Sequence, residues 1–148
     1  MRNGYIKREY DYAIRICALL AGYREREPIP VSHISEVLYI TRPFATKIIN
    51  QLRLKGITAS RQGKFGGVFL NMNPRKLSVF DILEALEFSG SLNECINTPA
   101  ICPFTGICNI RSFFGEQERL LLKSFKEKKI IDFAFSEIDL KVIKKSVK

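Results

Sequence analysis

Cys95, Cys102 and Cys108 stand in the stretch CINTPAICPFTGIC, with six and then five residues between them. Thiolates are soft ligands, and three of them this close could hold a zinc ion, hold an iron-sulfur cluster, or act as a metal-free redox switch. Structural zinc sites usually grip their ion with C-x2-C pairs, and none is present, whereas wider gaps within one loop suit a larger inorganic object. Asn97, Thr98, Pro99, Pro103 and Gly106 mark the segment as a loop, so burial as small apolar residues gives no reason for the three thiols. Cys17 is different: in AIRICALL it lies at helical spacing from Ala13 and Ile14 and reads as core. A complete cluster needs a fourth ligand, which the loop does not supply. His33, the only histidine, falls inside a helical stretch, and Glu94 abuts Cys95 in an awkward position. Asp11 interrupts an otherwise tidy apolar pattern; its carboxylate can ligate iron or simply stabilise the first turn of a helix.

A cluster of thiols in a reducing compartment means metal or redox chemistry rather than a disulfide framework. The opening MRNGYIKREYDYAIRICALL is too short in apolar run and too charged for a membrane span or a cleavable signal, so a cytoplasmic protein without a membrane partner is expected. With 148 residues, 46% of them hydrophobic, the chain suits one domain or one domain with an appended element. Its net charge of +9 lies wholly in the first half: residues 1 to 77 hold 14 Lys and Arg against 5 Asp and Glu, and residues 78 to 148 hold 10 of each. A positive field confined to one half looks like a surface for a polyanion.

The elements that must position these groups are legible in the apolar spacing. From Tyr5 to Gly22 the residues Ile6, Tyr10, Ala13, Ile14, Cys17 and Leu20 form the stripe of an amphipathic helix ending at a glycine. VSHISEVLYI follows as a short helix with Ser32 placed as its cap. TRPFATKIINQLRLKG comes almost without a linker: Thr41 can cap it, Pro43 sits in its first turn, Phe44, Ile48, Ile49 and Leu52 give its apolar face, and Gly56 stops it. Two short helices so tightly joined read as a helix-turn-helix, with Arg42, Thr46, Lys47, Asn50, Gln51 and Arg53 on the non-core positions of the second. Asn and Gln can read adenine edges, and Arg and Lys guanine edges. ITASRQGKFGGVFLNMNP then reads as a hairpin, strand-like over 57 to 60 and 68 to 71, with Arg61 and Lys64 at a glycine-rich tip. A helix-turn-helix followed by a basic hairpin is a winged helix.

LSVFDILEALEFSG gives a further helix from a Ser78 cap to Gly90. After the cysteine loop, IRSFFGEQERLLLKSFKEKKIIDFAF predicts a long amphipathic helix interrupted near Gly115. Little core remains for such a helix to cover, so pairing with the same helix of a second copy is expected. The last residues, 136 to 148, read as a frayed, solvated tail. The expected class is therefore mainly α with a small β-wing. A winged helix-turn-helix DNA-binding domain occupies residues 1–77, and residues 78–148 carry the cysteine loop (91–109) and a long C-terminal dimerisation helix.

From DYAIRICALLA through VSHISEVLYITRPFATKIINQLRLKGI, the wing GKFGGVFL, the LSVFDILEALE helix and the three-cysteine loop, the chain resembles the Rrf-two family of bacterial transcription regulators. The resemblance implies a homodimer that binds a palindromic promoter site in double-stranded DNA, with an iron-sulfur cluster on the three cysteines tuning affinity. Carried over by position, Pro43, Phe44, Thr46 and Lys47 fall at the exposed start of the recognition helix, and Arg61, Gln62 and Lys64 at the wing. The wing itself differs, with RQGKFGGVF where RGPGGGY is usual. IscR-like members have a histidine three residues after the third cysteine; Arg111 stands there and cannot ligate. NsrR-like members complete a 4Fe-4S cluster with a first-helix aspartate donated by the partner subunit, and Asp11 falls at that position.

The expected metal ligands are thus Cys95, Cys102, Cys108 and Asp11, holding a 4Fe-4S cluster or, as the alternative, 2Fe-2S. The resemblance also implies repression and a signal such as nitric oxide, iron or redox state. A cluster-free thiol or metabolite sensor of the same fold is the second expectation, and a small electron-transfer protein the third. No His-Cys pairing, nucleotide loop or acid pair accompanies the thiols, so an enzyme is not expected.

Overall fold

A computed structural model describes residues 4–146. Helix α1 spans Arg8–Ala21, α2 Val31–Leu38 and α3 Arg42–Leu54, followed by strands β1 (Thr58–Arg61) and β2 (Gly67–Leu70). Then come α4 (Val79–Ala85), a short α5 (Glu94–Asn97), a 3-10 turn at Pro99–Ile101 and α6 (Asn109–Glu127). A second 3-10 turn at Ile130–Phe133 leads into α7 (Glu137–Ser146). The architecture is mainly helical with one two-stranded antiparallel sheet, the wing of a winged helix. No helix among the described residues is long and apolar enough to cross a membrane.

The predicted stripe of α1 does build the core: Tyr10, Ala13, Cys17 and Leu20 are buried, together with Ile16 and Leu19. They meet Ile34 of α2, Ile48 and Leu52 of α3, and Ile82 and Leu83 of α4 in a single cluster. Each such aliphatic side chain, fully withdrawn from water, stabilises the fold by about 1.5–3 kcal/mol. Helix α1 starts at Arg8 rather than Tyr5, which leaves Ile6 exposed. Gly22 ends it without left-handed backbone, at φ −78°. The glycine serves a close approach instead, since a Cβ there would lie 2.1 Å from the carbonyl oxygen of Phe135.

Ser32 does not cap α2; the helix begins one residue earlier, after the extended Pro30, and no side chain caps it. The rigid Ile29-Pro30 entry brings the chain into helical geometry before Ser32 is reached. Tyr39, at φ 53° and ψ 45°, closes α2 in the left-handed region, and Thr41 opens α3 by accepting from the Phe44 amide at 3.4 Å. That three-residue turn fixes the angle of the helix-turn-helix. In the wing, Thr58 pairs with Leu70 and Arg61 with Gly67. A bridge between Ile29 and Val68 ties the hairpin to the entry of α2. Gly67 permits it, because a Cβ there would lie 2.4 Å from the Ile29 carbonyl carbon.

Ser78 caps α4 as predicted, in a reciprocal box with Asp81: the Asp81 amide donates to Ser78 Oγ at 3.1 Å and the Ser78 amide to Asp81 Oδ2 at 2.8 Å. The helix stops at Ala85, well short of Gly90, and Glu87 takes the left-handed turn at φ 61°. Helix α6 runs unbroken through Gly115, because a single glycine in an interior turn removes no hydrogen bond. It ends at Glu127, earlier than the apolar pattern suggested. The chain then turns back, and Ile130, fully buried, donates its amide to the Leu77 carbonyl at 2.9 Å. The frayed tail is also corrected. Ser136 and Asp139 cap α7 reciprocally, the Asp139 amide donating to Ser136 Oγ at 3.2 Å, and Leu140 packs against the core. The final two residues of that predicted tail lie outside the described ones.

Candidate nucleic-acid interface and cysteine site

Helix α3 buries Ala45, Ile48, Ile49 and Leu52, and this turns Arg42, Pro43, Thr46, Lys47, Asn50 and Arg53 to solvent. Side chains repeating every three to four residues on one outward face are what a helix lying in a major groove presents to base edges and phosphates. Phe44 is not among them. It is half-buried, its ring 5.8 Å from that of Tyr12 and 5.3 Å below the guanidinium of Arg8, and so anchors the start of α3 to α1. Lys47 pairs with Glu9 of α1. Gln51 is half-buried, and its side-chain oxygen is enclosed without a hydrogen-bond partner. In the wing, Arg61 ends β1 with its guanidinium 5.9 Å from the Phe69 ring centroid, so it stands on the strand rather than at the tip. Gln62 and Lys64 are exposed on the tip.

The four cysteines are free. Burial pushes the Cys17 thiol far up, which fits its place in the core and leaves it inert. Cys95, Cys102 and Cys108 are each half-buried. Cys95 lies in α5, Cys102 follows the 3-10 turn, and Cys108 is the N-cap of α6, its Sγ accepting from the Arg111 amide at 3.3 Å. A helix N-terminus favours negative charge beside it, which suits a thiolate ligand.

The segment is ordered by side chains rather than by a core. Arg111 Nε donates to the Cys95 carbonyl at 3.0 Å and its other nitrogen to the Ile96 carbonyl at 3.4 Å. One arginine thus ties the first cysteine to the helix that the third one caps. Thr105 Oγ1 donates to the carbonyls of Pro99 and Cys102 at 2.6 and 2.8 Å, and Glu118 accepts from the Leu92 amide at 3.0 Å.

No three His, Cys, Asp or Glu side chains among the described residues gather closely enough for one metal ion. A single tetrahedral ion would need sulfurs about 3.8 Å apart, given metal–sulfur bonds of about 2.3 Å. A cluster carries its irons on separate corners and takes more widely spaced thiolates than a lone ion does. Asp11, 46% exposed, is bound to Arg15 Nε at 2.9 Å and joins no cysteine within its own chain. His33 is engaged with the Tyr23 hydroxyl at 2.8 Å, and Glu94 is exposed.

Arg111, which cannot ligate, and Phe65 carry no signal in composition or charge that marks them for a site. The first had a positional signal instead, since position three of a helix capped by a cysteine faces the turn that precedes it. The second stood between Lys64 and Gly66 at the tip.

Residues 6–135 match the Rrf2 family, described as iron-dependent transcriptional regulator. The HTH-type transcriptional regulator NsrR of Bacillus subtilis (strain 168) is 24% identical over 107 residues, 72% of this chain and 73% of its own. NsrR of Shouchella clausii (strain KSM-K16) is 22% identical over 134 residues, 90% of each chain. Among solved structures, that of CymR, the global cysteine regulator of B. subtilis, superposes with a TM-score of 0.73 at 19% identity, covering 87% of this chain and 95% of that one. IscR of T. potens superposes with a TM-score of 0.68 at 18% identity over 97% and 90%. The fold and the family match agree over the winged helix and the long helix alike, and the chain belongs to the Rrf2 (Rrf-two) family of DNA-binding transcription regulators.

Proposed function

We propose that this chain is a homodimeric, cytoplasmic regulator, a repressor in habit, whose grip on a palindromic promoter depends on an iron-sulfur cluster. The observation that carries this reading is the cysteine segment: three free, half-buried thiols ordered by Arg111 and Thr105 against the N-terminus of α6. In it Cys95, Cys102 and Cys108, with Asp11 from a second copy, would hold a 4Fe-4S cluster. The cluster supplies a centre that reacts with nitric oxide, oxidants or iron shortage. Everything else falls to the protein's own residues. Asp11 would have to leave its pairing with Arg15 to serve as a ligand, the cysteines fix α5 relative to α6, and α6 pairs with its counterpart through Ile110, Phe113 and Leu120. A change in the cysteine segment tilts the α6 pair and with it the spacing of the two α3 helices. That spacing must match one turn of DNA, about 34–36 Å, so small shifts change affinity steeply.

Anaerobic purification should yield a brown protein with about four irons and four sulfides per chain, the ratio of a 4Fe-4S centre. Alanine at any of the three thiols should bleach it, and nitric oxide should alter its band-shift on a promoter duplex. A colourless, iron-free preparation whose DNA binding follows thiol oxidation would replace this reading with the cluster-free thiol sensor. The half-exposed, unpaired cysteines support that second reading as well.

A further inference from the structure

Phe65 is 84% exposed, at the tip of the hairpin that leads from β1 to β2. It contributes almost nothing to the core, so packing within the chain gives no reason for an aromatic ring at this position. Its surroundings are basic: the Lys64 ammonium lies 5.7 Å from its ring centroid, and Arg61 stands at the base of the same turn. The tip is also closed on itself. Gly63 takes a left-handed φ of +109°, and a Cβ on Gly66 would lie 2.2 Å from the Arg61 carbonyl oxygen, so the turn folds tightly around its own backbone. The Gly66 amide closes it on the Gly63 carbonyl at 3.0 Å, and the Ile29–Val68 bridge holds the strands to the entry of α2. The ring is therefore carried on a short hydrogen-bonded turn tied to the entry of the helix-turn-helix.

From this geometry we infer that Phe65 is a minor-groove wedge: when α3 occupies the major groove, the wing lays Phe65 against a base step of the flanking minor groove, partly unstacking it and bending the duplex. Apolar side chains flanked by cations are the groups that do this, the cations holding the flanking phosphates while the wedge opens the step and the minor groove with it. Pyrimidine–purine steps unstack most easily, so the wedge reads a TA or CA step beneath the wing without any hydrogen bond to a base. The inference rests on the DNA-binding reading of the chain and adds to it one contact residue, a bend and a sequence preference.

The test uses the full-length dimer and a duplex that it selects from a random pool. The wild type should bend that duplex by at least about 20°, and 2-aminopurine placed in the step beneath the wing should brighten on binding. Phe65→Ala should lose the bend and the brightening, with affinity falling on the order of tenfold, close to the value of one aromatic–base contact. Phe65→Leu, still an apolar wedge, should keep most of both. A wedge neutralises no phosphate, so Phe65→Ala should leave the salt dependence of binding unchanged, whereas Lys64→Ala should lower its slope by about 0.9. A Phe65→Ala protein with wild-type bend and fluorescence overturns the wedge while leaving DNA binding intact. Loss of dimerisation in Phe65→Ala, seen by sedimentation, would also overturn it by assigning the ring to contact between copies. If the wild type selects no duplex, interface and wedge fall together.

Discussion

Helices α1 and α6 are both amphipathic, yet they are built for different surroundings. Helix α1 has 14 residues and buries seven of them, among them Ile16, Cys17 and Leu19. Helix α6 has 19 residues and buries none; Ile110 is 66% exposed, Phe113 58% and Leu120 46%. Its C-terminal part meets the domain, where Phe125 lies 6.3 Å from Phe88 and the Lys126 ammonium 4.6 Å from the Phe80 ring. Helix α1 thus helps build one core with α2, α3, the wing, α4 and Ile130, while the cysteine segment and the first turns of α6 are held by hydrogen bonds and leave apolar surface for something else to cover. In the proposed function that something is a cluster and a second copy.

The largest expected contrast comes from deleting the same side chain in both regions. Leu52→Ala, at a fully buried position of α3, should cost about 2–5 kcal/mol in urea denaturation, because it removes packed methyl groups and leaves a cavity. Leu120→Ala should change the stability of the dissociated chain by no more than about 0.5 kcal/mol, as an exposed position does. Its effect should appear instead at protein concentrations where copies associate. Equal losses for the two variants at every concentration would mean that α6 is covered by its own domain.

A second test concerns the return of the chain after α6. Gly22→Ala should cost about 1–3 kcal/mol, the usual penalty for forcing a methyl into occupied space, since the Phe135 carbonyl must move to admit it. Hydrogen exchange should then speed up in α7 and at the Phe135 amide, which donates to the Ala18 carbonyl at 3.2 Å, and leave α3 protected. Uniform loss of protection would show that α7 and the reading half unfold as one unit.

These contrasts follow the line between what was legible in the sequence and what was not. The Thr41 cap, the Pro43 first turn and the Ile48–Leu52 face of α3 were readable because each depends on neighbours within one or two turns. So was the Ser78 cap, whose partner Asp81 is three residues away. Ser32 misled because Pro30, an equally local feature, had already set the backbone. The use of Gly22 depends on Phe135, and the return of the chain at Ile130 is bonded to Leu77; neither distance in sequence carries a periodic signal. At the site, the identities of Cys95, Cys102 and Cys108 stood out at once. Their ordering by Arg111 did not, because an arginine side chain reaching back to the carbonyls of a preceding loop leaves no pattern in composition.

Arg111 gives the third test, smaller in energy but confined to the cysteine segment. Arg111→Ala removes two charge-assisted hydrogen bonds, worth about 1.5–3 kcal/mol each where a charged donor is partly shielded and less where water competes. Global stability should hardly move, because the segment contributes no core. The amides of Ile96 and Thr98 should exchange faster, and if the segment houses a cluster, iron should be lost faster to a chelator. Unchanged exchange at these amides would show that the Arg111 contacts do not order the loop.

The smallest effect on folding should carry a clear effect on binding. Lys47 lies on the outward face of α3 but is paired with Glu9 of α1, both of them partly exposed. A surface pair of this kind adds little to stability, so Glu9→Gln should leave the melting temperature nearly unchanged. It does remove a negative charge from beside the outward face of α3 proposed to meet DNA, and frees a cation to reach a phosphate. The dimer should then bind its duplex more tightly, with the slope of log affinity against log salt steeper by up to about 0.9 for each newly neutralised phosphate. Lys47→Ala should move the slope the other way if Lys47 already leaves Glu9 when DNA arrives. If Glu9→Gln changes neither affinity nor slope while Lys47→Ala weakens both, Lys47 reaches the phosphate despite its acid neighbour and the pair exists only in the free protein. If neither variant has an effect, Lys47 belongs to the scaffold that joins α3 to α1, as Phe44 does, and the reading surface narrows to Arg42, Thr46, Asn50 and the wing.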